Sequence, residues 1–435
     1  MQSTLRLAAI IVLLMLSRLG LAVERYPIGV RWWGHSMVSI ETYWNLTVVI
    51  DPYSENLGYP DPNLSADLVL ITHEHSDHNN VGLIGGGPLI AHGADAEGRV
   101  EPIDHVLDRL PGQKTPTWRD AKLRIARSQH AMRIRSIASS HNESDGSDRG
   151  SNAIFVIDVN GVRIVHCGNL DQSTLTEEQL KAIGSVDVLL IAVGGVNTVD
   201  GPQAAEIVRQ TKPHIVVPIR DRAPDLIHDL QKVQDFVAAL DADRQVVHAK
   251  GNTFAISAAK RNEAKPQAVV LETTPWEMPE ELDKLFQSKE YACQASQQVF
   301  AKLSVEQMNF QPSNGTHTPR WNTEHMMGRE LGFFSKIYSQ IDSQVPHVNL
   351  NPQQMPPDYQ AAHPNWSGEE EARQMERVSA FTRRFAYLLD GLPLDAKAPG
   401  SRWTLRGLLQ QMQRHYGEHT ANVQKKFELP DWPQD

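Results

Sequence analysis

The stretch Thr72-His73-Glu74-His75-Ser76-Asp77-His78 directly follows the apolar run Leu68–Ile71. A short, continuous apolar run is typical of a strand that is buried on both faces. The polar stretch then lies at the carboxyl end of that strand. Four of its side chains can bind a metal, namely His73, His75, Asp77 and His78. Because four such side chains within six positions converge when a loop curls around a cation, the spacing predicts a metal centre.

The composition of the 435-residue chain limits the classes of protein to which it can belong. At roughly 150 residues per domain, the length predicts two or three domains, each large enough to bury a core. The 42 Lys and Arg face 52 Asp and Glu, for a net charge of −10. This balance excludes a generic nucleic-acid binder, since such binding depends on neutralising phosphates, and we expect a small-molecule substrate. With 2 Cys the chain cannot form a disulfide scaffold, whereas its 18 His are in excess.

Residues 1–22 have the pattern of a secretory signal peptide. Arg6 precedes the apolar stretch Leu7–Leu16, and Gly20-Leu21-Ala22 follows as a small-residue exit. The apolar stretch is too short for a stable membrane span. We therefore expect an exported protein, periplasmic or extracellular, with no stable span once the signal is removed. An uncleaved amino-terminal anchor is the alternative.

Residues 28–256 alternate short apolar runs with turn signals and helical stretches, which predicts an α/β domain. The clearest signal is Asn160-Gly161 between Ala153–Val159 and Val162–His166, since this dipeptide strongly indicates a β-hairpin. Pro202–Gln210 has a helical pattern. Further predicted strands are Met37–Glu41, Thr47–Ile50, Val188–Val193 and Ile215–Ile219.

The carboxyl-terminal part of the chain changes to a hydrophobic period of 3.6 residues. Residues 257–274, which precede it, are predicted to be a linker. Four stretches carry apolar residues at helical spacing: Glu280–Leu303, Trp321–Gln340, Gly368–Leu392 and Thr404–Phe427. They predict an all-α four-helix bundle over residues 275–428. The Pro-rich segment Val345–Pro364 is long enough to be a crossover loop between the second and third helices.

The motifs of residues 28–256 resemble, in order, those of the metallo-β-lactamase fold superfamily, and in detail its lactonase-like, metal-dependent hydrolase branch. The matching motifs are Trp33-Gly34-His35-Ser36, Ile50-Asp51-Pro52, His73–His78, His141, Gly150-Ser151-Asn152, His166-Cys167-Gly168-Asn169, Val193-Gly194-Gly195 and Pro218-Ile219-Arg220. The resemblance implies a four-layer αββα sandwich with the site at one edge. The implied ligands are, for a first metal, His73, His75 and His141, and for a second metal, Asp77 and His78.

Two positions depart from the pattern of that family. Asn169 stands where the family has a metal-bridging Asp, and Arg220 stands where it has a final His ligand. Asn is neutral and a poor ligand, and Arg is permanently cationic and cannot coordinate. We therefore expect a site that binds one metal tightly, with Arg220 replacing part of the missing positive charge. The alternative is a salt bridge between Arg220 and Asp77 that closes an inactive site.

The chemistry expected of the first domain is hydrolysis. A cation bound by three imidazoles lowers the pKa of a bound water towards about 7 and so supplies hydroxide at neutral pH. Asp77 is expected to orient that water or to take its proton. Arg220 is expected to hold an anionic substrate group or the developing oxyanion, and Asn169 is the third residue expected at the catalytic site. His35 and Asp51 are expected to orient the metal ligands, with turn chemistry as the alternative.

A second histidine cluster is predicted in the bundle. His415 and His419 lie at i and i+4 on one helix face, and His325 lies on the apolar side of the second predicted helix. Three inward-facing histidines cost on the order of several kcal/mol of desolvation unless they are satisfied, and a metal satisfies all three. Their order and spacing, with Leu303–Pro312 ahead of them, resemble the DinB-like family over residues 275–428. The resemblance implies that these three side chains bind one divalent ion; a buried cluster without metal is the alternative.

Together these features predict an exported metal-dependent hydrolase of esters, lactones or phosphodiesters, with an accessory metal-binding bundle. Imidazole ligands suit several metals, of which we expect Zn, with one ion in the first domain and one in the bundle. One alternative is a catalytically degraded first domain that serves as a non-catalytic metal-binding or interaction protein. The other is a thiol transferase whose activity resides in the bundle, as in some DinB-like relatives. The sequence identifies neither the substrate nor the oligomeric state.

Overall fold

The computed structural model of the protein describes residues 26–95, 98–110, 113–122, 131–140, 151–221, 230–258 and 265–434. The predicted signal peptide, residues 1–22, and the predicted ligand His141 lie outside the described residues. Within them, an α/β domain is followed by a helical bundle, which confirms the predicted two-part architecture. None of the described helices combines the length and the hydropathy that crossing a bilayer requires.

The α/β domain is built on two large sheets. In chain order, the strands of the described residues are β1 (Ile28–Gly34), β2 (Met37–Glu41), β3 (Thr47–Ile50), β4 (Leu64–Ser65), β5 (Leu68–Ile71), β6 (Ile84–Gly85), β7 (Leu89–His92), β8 (Asp104–Asp108), β9 (Thr117–Asp120), β10 (Ala131–Ser140), β11 (Ser151–Val159), β12 (Val162–His166), β13 (Val188–Ala192), β14 (Ile215–Ile219), β15 (Gln245–His248), β16 (Thr253–Ile256) and β17 (Gln267–Val270). A six-stranded sheet has the order β16-β1-β2-β3-β5-β7, and a nine-stranded sheet has the order β15-β17-β14-β13-β12-β11-β10-β8-β9.

The two strongest strand signals of the sequence are confirmed. All four residues of β5 are buried, and β5 pairs in parallel with β3 and β7, as expected of a continuous apolar run. β11 and β12 form an antiparallel hairpin through Asn160 and Gly161, whose φ angles are 48° and 77°. A turn with positive φ at both central residues matches the twist of the flanking strands, which is why this dipeptide closes the hairpin.

The core of the domain lies between the two sheets and on the outer face of the larger one. Val30 and Leu70 of the six-stranded sheet share one hydrophobic cluster with Ile134 and Phe155 of the nine-stranded sheet. The outer face of the nine-stranded sheet is covered by helices α1 (Glu177–Ile183), α2 (Gly201–Thr211) and α3 (Val233–Ala239). Two capping boxes, at Thr176 and Asp200, fix the starts of α1 and α2.

The predicted linker over residues 257–274 is wrong in part. Residues 267–270 form β17, which pairs in parallel with β14 and β15 inside the nine-stranded sheet. The α/β domain therefore extends beyond residue 256. The short Gln-Ala-Val-Val run has no periodicity of its own, and its place is set by backbone pairing with strands that are distant in sequence.

The bundle follows the predicted helical stretches closely. Its helices are α4 (Glu280–Phe300), α5 (Val305–Asn309), α6 (Pro319–Ile341), α7 (Gly368–Arg384) and α8 (Leu405–Gln424). Side chains of Thr318, Ser367 and Thr404 cap the starts of α6, α7 and α8. The third predicted helix reaches Leu392, whereas α7 ends at Arg384 and a 3-10 turn, Ala386–Leu389, follows.

A buried polar network joins the four long helices. Lys289 of α4 donates to Glu330 of α6 at 2.7 Å, and both side chains are fully buried. Thr382 of α7 and Tyr416 of α8 also donate to Glu330, each at 2.7 Å. Lys289 makes a further bond to Ser379 of α7 at 3.0 Å. The single Glu330 carboxylate therefore receives a hydrogen bond from each of the other three helices.

The bundle covers part of the outer face of the six-stranded sheet. Arg384 at the end of α7 donates to Glu41 of β2 at 3.0 Å and to the carbonyl of Thr42 at 2.8 Å. Tyr43 and Trp44, which follow β2, belong to the same hydrophobic cluster as the bundle core. The helical layer expected on this sheet is thus supplied, at this end of its face, by the carboxyl-terminal bundle.

Candidate metal centres

The first candidate centre lies where several strands of the two sheets end. The His73–His78 stretch follows β5, His35 lies in the turn between β1 and β2, Asp51 follows β3, and Arg220 follows β14. The backbone N–H of Arg220 donates to the carbonyl of His35 at 3.0 Å and so ties the two sheets together here. His35, Asp51 and Arg220 have φ angles of 46°, 51° and 53°. Such left-handed backbone costs free energy in non-glycine residues and clusters at functional sites.

Asp51 is a fully buried carboxylate that joins Thr72 to His78. Its Oδ1 accepts from the Thr72 N–H at 2.8 Å, and its Oδ2 lies 2.7 Å from Thr72 Oγ1 and 2.9 Å from His78 Nδ1. Burial raises the pKa of Asp51 to about 6, although neighbouring imidazoles and the bonds from Thr72 oppose the rise. Because Asp51 holds Nδ1 of His78, Nε2 is the nitrogen that faces Asp77. The structure places Asp51 where an orienting group would lie.

His73 and His75 face each other beside this carboxylate. Their Nε2 and Nδ1 atoms, respectively, are 3.1 Å apart, and Thr72 Oγ1 lies 3.0 Å from His73 Nδ1. The ring of His78 lies 4.2 Å from that of His73, measured between centroids. Two ring nitrogens at this distance require a proton or a cation between them. The third expected ligand, His141, lies outside the described residues, and its role stays a prediction.

Three side chains converge on one oxygen of Asp77. From Asp77 Oδ2, His35 Nε2 is 3.0 Å away, His78 Nε2 is 3.6 Å away and Arg220 Nη2 is 3.9 Å away. Burial raises the pKa of Asp77, but the hydrogen bond from His35 and the charges of His78, His35 and Arg220 outweigh it, so that the pKa lies well below its usual range. Asp77 is then a weak proton acceptor at neutral pH. Asp77 was expected either to orient a water or to take the proton of that water. The low pKa favours the orienting role.

The two departures from the family pattern contact each other. Arg220 is 2 % exposed, and its Nη1 donates to Asn169 Oδ1 at 2.5 Å. The backbone N–H of Asn169 in turn donates to the side chain of Asn152 at 2.9 Å. His35, Asp77 and His78 offer one ligand atom each within 4.8 Å of one another, so His35, expected to orient ligands, is also placed as a candidate ligand.

The second candidate centre lies between α6 and α8. His325, His415 and His419 offer one ring nitrogen each within 4.8 Å of one another. Burial is the main reason that the pKa falls to about 3 for His325 and to about 4 for His415 and His419, so that all three rings are neutral at pH 7, as ligands must be. Nδ1 of His325 and Nδ1 of His415 are buried and have no hydrogen-bond partner among the described residues. Three neutral, incompletely satisfied imidazoles fit a divalent cation.

Asn322 orients one of these histidines. Its Nδ2 donates to the carbonyl of Thr318 at 2.8 Å, which directs Oδ1 towards Nδ1 of His419 at 2.7 Å. An amide oxygen can only accept, so His419 carries its proton on Nδ1 and keeps the Nε2 lone pair for a metal. Trp321 also lies against the cluster and stacks on His325 with ring centroids 4.6 Å apart.

Thr72, Asn322 and Trp321 were not identified from the sequence. Thr72 adjoins the histidine stretch, yet the sequence does not show that it holds both Asp51 and His73. Asn322 and Trp321 precede His325 on the same helix, where several other polar residues are also buried, so residue type alone does not single out either one. Among the described residues, His325, His415 and His419 form one group of potential ligands and His35, Asp77 and His78 form another, while His73 and His75 face each other.

Comparison with known families agrees with this division. Residues 29–220 match the family model described as beta-lactamase superfamily domain, and residues 290–423 match that of the DinB superfamily. The chain is therefore similar to the beta-lactamase superfamily over its α/β domain and to the DinB superfamily over its bundle.

Individual relatives match the first domain. A UPF0173 metal-dependent hydrolase from Thermococcus onnurineus is 29% identical over 198 residues, covering 44% of this chain and 84% of the relative. A protein of the same name from Pyrococcus furiosus is 27% identical over 198 residues, with the same coverage. Curated relatives of the first domain are thus named metal-dependent hydrolases.

Two solved structures are also similar to this chain. One is described as a proposed Zn-dependent hydrolase of the metallo-beta-lactamase superfamily from Thermotoga maritima; it is 24% identical with a TM-score of 0.41, covering 56% of this chain and 100% of that one. The other is the metallo-beta-lactamase fold protein YhfI from Bacillus subtilis, which is 10% identical with a TM-score of 0.33, covering 57% of this chain and 99% of that one.

Proposed function

We propose that the protein is a metal-dependent hydrolase whose reaction takes place at the first centre, on an ester, lactone or phosphodiester. The observation that carries the proposal is the convergence of His73, His75 and His78 with Asp77 at the carboxyl end of β5. The names of the relatives of this domain support the same reaction class.

Each residue of the first centre would have a separate role in such a reaction. His73 and His75 would hold a divalent metal, which supplies hydroxide at neutral pH when it binds water. Asp51 fixes the ring of His78 through Nδ1, and Thr72 fixes Asp51 in turn. Asp77, kept ionised, accepts a hydrogen bond and so orients the attacking water.

The direct test compares two histidine variants of the full chain. His75→Ala removes a ligand and is expected to abolish turnover of ester, lactone and phosphodiester substrates. His248→Ala, an exposed residue of β15 in the other sheet, serves as the matched control and is expected to leave turnover unchanged. The absence of turnover in the wild type across such a panel, with intact folding and metal content, would contradict the proposal.

For the bundle we propose an accessory site that binds one divalent metal, Zn in the first instance. His325, His415 and His419 form the candidate ligand set, and Asn322 orients one of them. A second candidate function places catalysis here, as a thiol transferase, because the same cluster could bind a thiolate. Thiol-dependent transfer that disappears in His419→Ala and survives in His75→Ala would support this second candidate.

A non-catalytic first domain is the other candidate. The position of Arg220, 3.9 Å from Asp77, favours it, since this contact neutralises the carboxylate that would orient the water. If Asn169→Asp combined with Arg220→His creates hydrolysis that the wild type lacks, the non-catalytic role is supported.

We also propose that the protein is exported, on the pattern of residues 1–22 alone. Cell fractionation with sequencing of the mature amino terminus tests it. Recovery of a chain that starts at Met1 in the cytoplasm would contradict export.

A further inference from the structure

We propose that the guanidinium of Arg220 occupies the place of a second divalent cation, so that the first centre binds a single metal ion. The inference deepens the proposed function and rests on it for the first metal. It concerns four side chains of the described residues: Asp77, His78, Asn169 and Arg220.

The position of Arg220 is fixed by its surroundings. Its backbone adopts a left-handed φ of 53° directly after β14, and its N–H is held by the carbonyl of His35. The side chain is 2 % exposed, and Nη1 donates to Asn169 Oδ1 at 2.5 Å. A charged group that is buried and bonded in this way stays where the fold places it.

The guanidinium approaches the same carboxylate oxygen through which Asp77, together with His78, would bind a second cation. The same oxygen, Asp77 Oδ2, lies 3.6 Å from His78 Nε2 and 3.9 Å from Arg220 Nη2. A metal ion coordinated by this oxygen and this nitrogen would lie beside a permanent positive charge. The amide oxygen of Asn169 adds no negative charge to offset the repulsion, and it already accepts from Arg220.

The net charge of the centre is consistent with Arg220 replacing a second metal ion. Asn169 and Arg220 together carry one positive charge, whereas an aspartate and a neutral histidine at these positions would carry one negative charge. The difference of two charges equals the charge of one divalent ion. The guanidinium thus compensates Asp77 without a second metal, and the cluster of His35, Asp77 and His78 is held together by hydrogen bonds and this ion pair.

Metal counting by elemental analysis tests the inference on the full chain. The parent is a His415→Ala/His419→Ala variant, which removes two of the three candidate ligands of the bundle and leaves those of the first centre. After incubation with excess Zn²⁺ and gel filtration, we expect one Zn per chain in the parent. Adding Asn169→Asp and Arg220→His together should raise the count to two.

Two single variants in the same background are the matched controls. Asn169→Asp alone places a carboxylate against Arg220 and should leave the count at one, as should Arg220→Lys, which retains the positive charge. A parent that holds two Zn overturns the inference and leaves the proposed hydrolase site standing. A parent that holds none overturns both. A double variant that is folded, by circular dichroism and thermal melting, yet still holds one Zn also overturns the inference; if it fails to fold, the count of the parent decides.

Discussion

At the scale of single residues, both centres contain side chains that orient the candidate ligands without being ligands themselves. Asp51 fixes His78, Thr72 fixes Asp51 and His73, and Asn322 fixes His419. The contacts to His78, His73 and His419 each engage one ring nitrogen and leave the other for coordination. The geometry of a candidate metal site is therefore set in part by residues that carry no sequence motif.

The bond between Asn322 and His419 can be tested by metal affinity. Asn322→Ala removes the acceptor that holds the proton on Nδ1 of His419, and we expect the bundle to bind Zn about 10-fold to 100-fold more weakly. Chelator competition on the full chain measures the affinity. Asn314→Ala, in an exposed turn, is the matched control and should not change it. Equal affinities of the two variants would refute the orienting role of Asn322.

Both cysteines are expected to be unreactive in the folded protein. Cys167 and Cys293 are each 1 % exposed, and burial raises the pKa of each thiol to about 12. At pH 8 only about one thiol in ten thousand is then ionised, and the thiolate is the reactive form. Titration with a thiol-reactive dye should show no modification of native protein and two thiols in denaturant. Rapid modification of the native protein would show that a thiol is accessible.

At the scale of secondary-structure elements, α7 begins in close contact with the end of α4. A Cβ on Gly368 would lie 1.9 Å from the carbonyl oxygen of Phe300, whereas a Cβ on Gly417 of α8 would meet nothing within 4 Å. We expect Gly368→Ala to destabilise the protein by about 3 kcal/mol, because backbone cannot move aside easily. Gly417→Ala should stabilise α8 by about 1 kcal/mol, since alanine favours a helix interior. Urea unfolding of the two variants, side by side, checks both signs; a tolerated Gly368→Ala would contradict this packing.

Elements with a local signal were the ones that the sequence predicted well. The apolar run of β5, the Asn160-Gly161 turn and the 3.6-residue period of the four long helices each depend on neighbouring residues alone. The strand β17 was missed, because its place depends on pairing with β14 and β15. The end of α7 was misplaced for a related reason: apolar residues continue at helical spacing, while the chain turns to pack against the sheet.

In the candidate centres, too, the sequence predicts what depends on local patterns and not what depends on contacts between distant residues. The histidines and Asp77 stand out in the sequence because their residue types and spacing carry the chemistry of a metal site. Their arrangement as two clusters needed only the order of the elements. Contacts across the fold, such as Arg220 with Asn169 or Thr72 with Asp51, join residues whose pairing no local pattern specifies.

At the scale of the whole molecule, the two domains share a buried junction. Arg384 of the bundle makes polar contacts there with Glu41 and with the Thr42 carbonyl. Arg384→Ala leaves Glu41 largely buried with Arg31 at 4.0 Å as its remaining ion pair, and we expect a loss of about 2–3 kcal/mol in unfolding free energy. Thermal and urea unfolding of the full chain measure the loss. Arg402→Ala, an exposed residue that stacks on Trp403, is the control, and equal losses in both variants would contradict the role of the junction.

The Glu330 network has a consequence for how the bundle would acquire a metal. Glu330 lies five residues after His325 on α6, and its partner Tyr416 lies next to His415 on α8. A slip of one helical turn would move one helix about 5.4 Å past the other and separate the three imidazoles. Such a slip would leave the buried carboxylate of Glu330 without Tyr416, so the network opposes it. The register of α6 and α8 is thus fixed without a bound ion. Metal binding then does not have to assemble the three ligands, which favours a higher affinity.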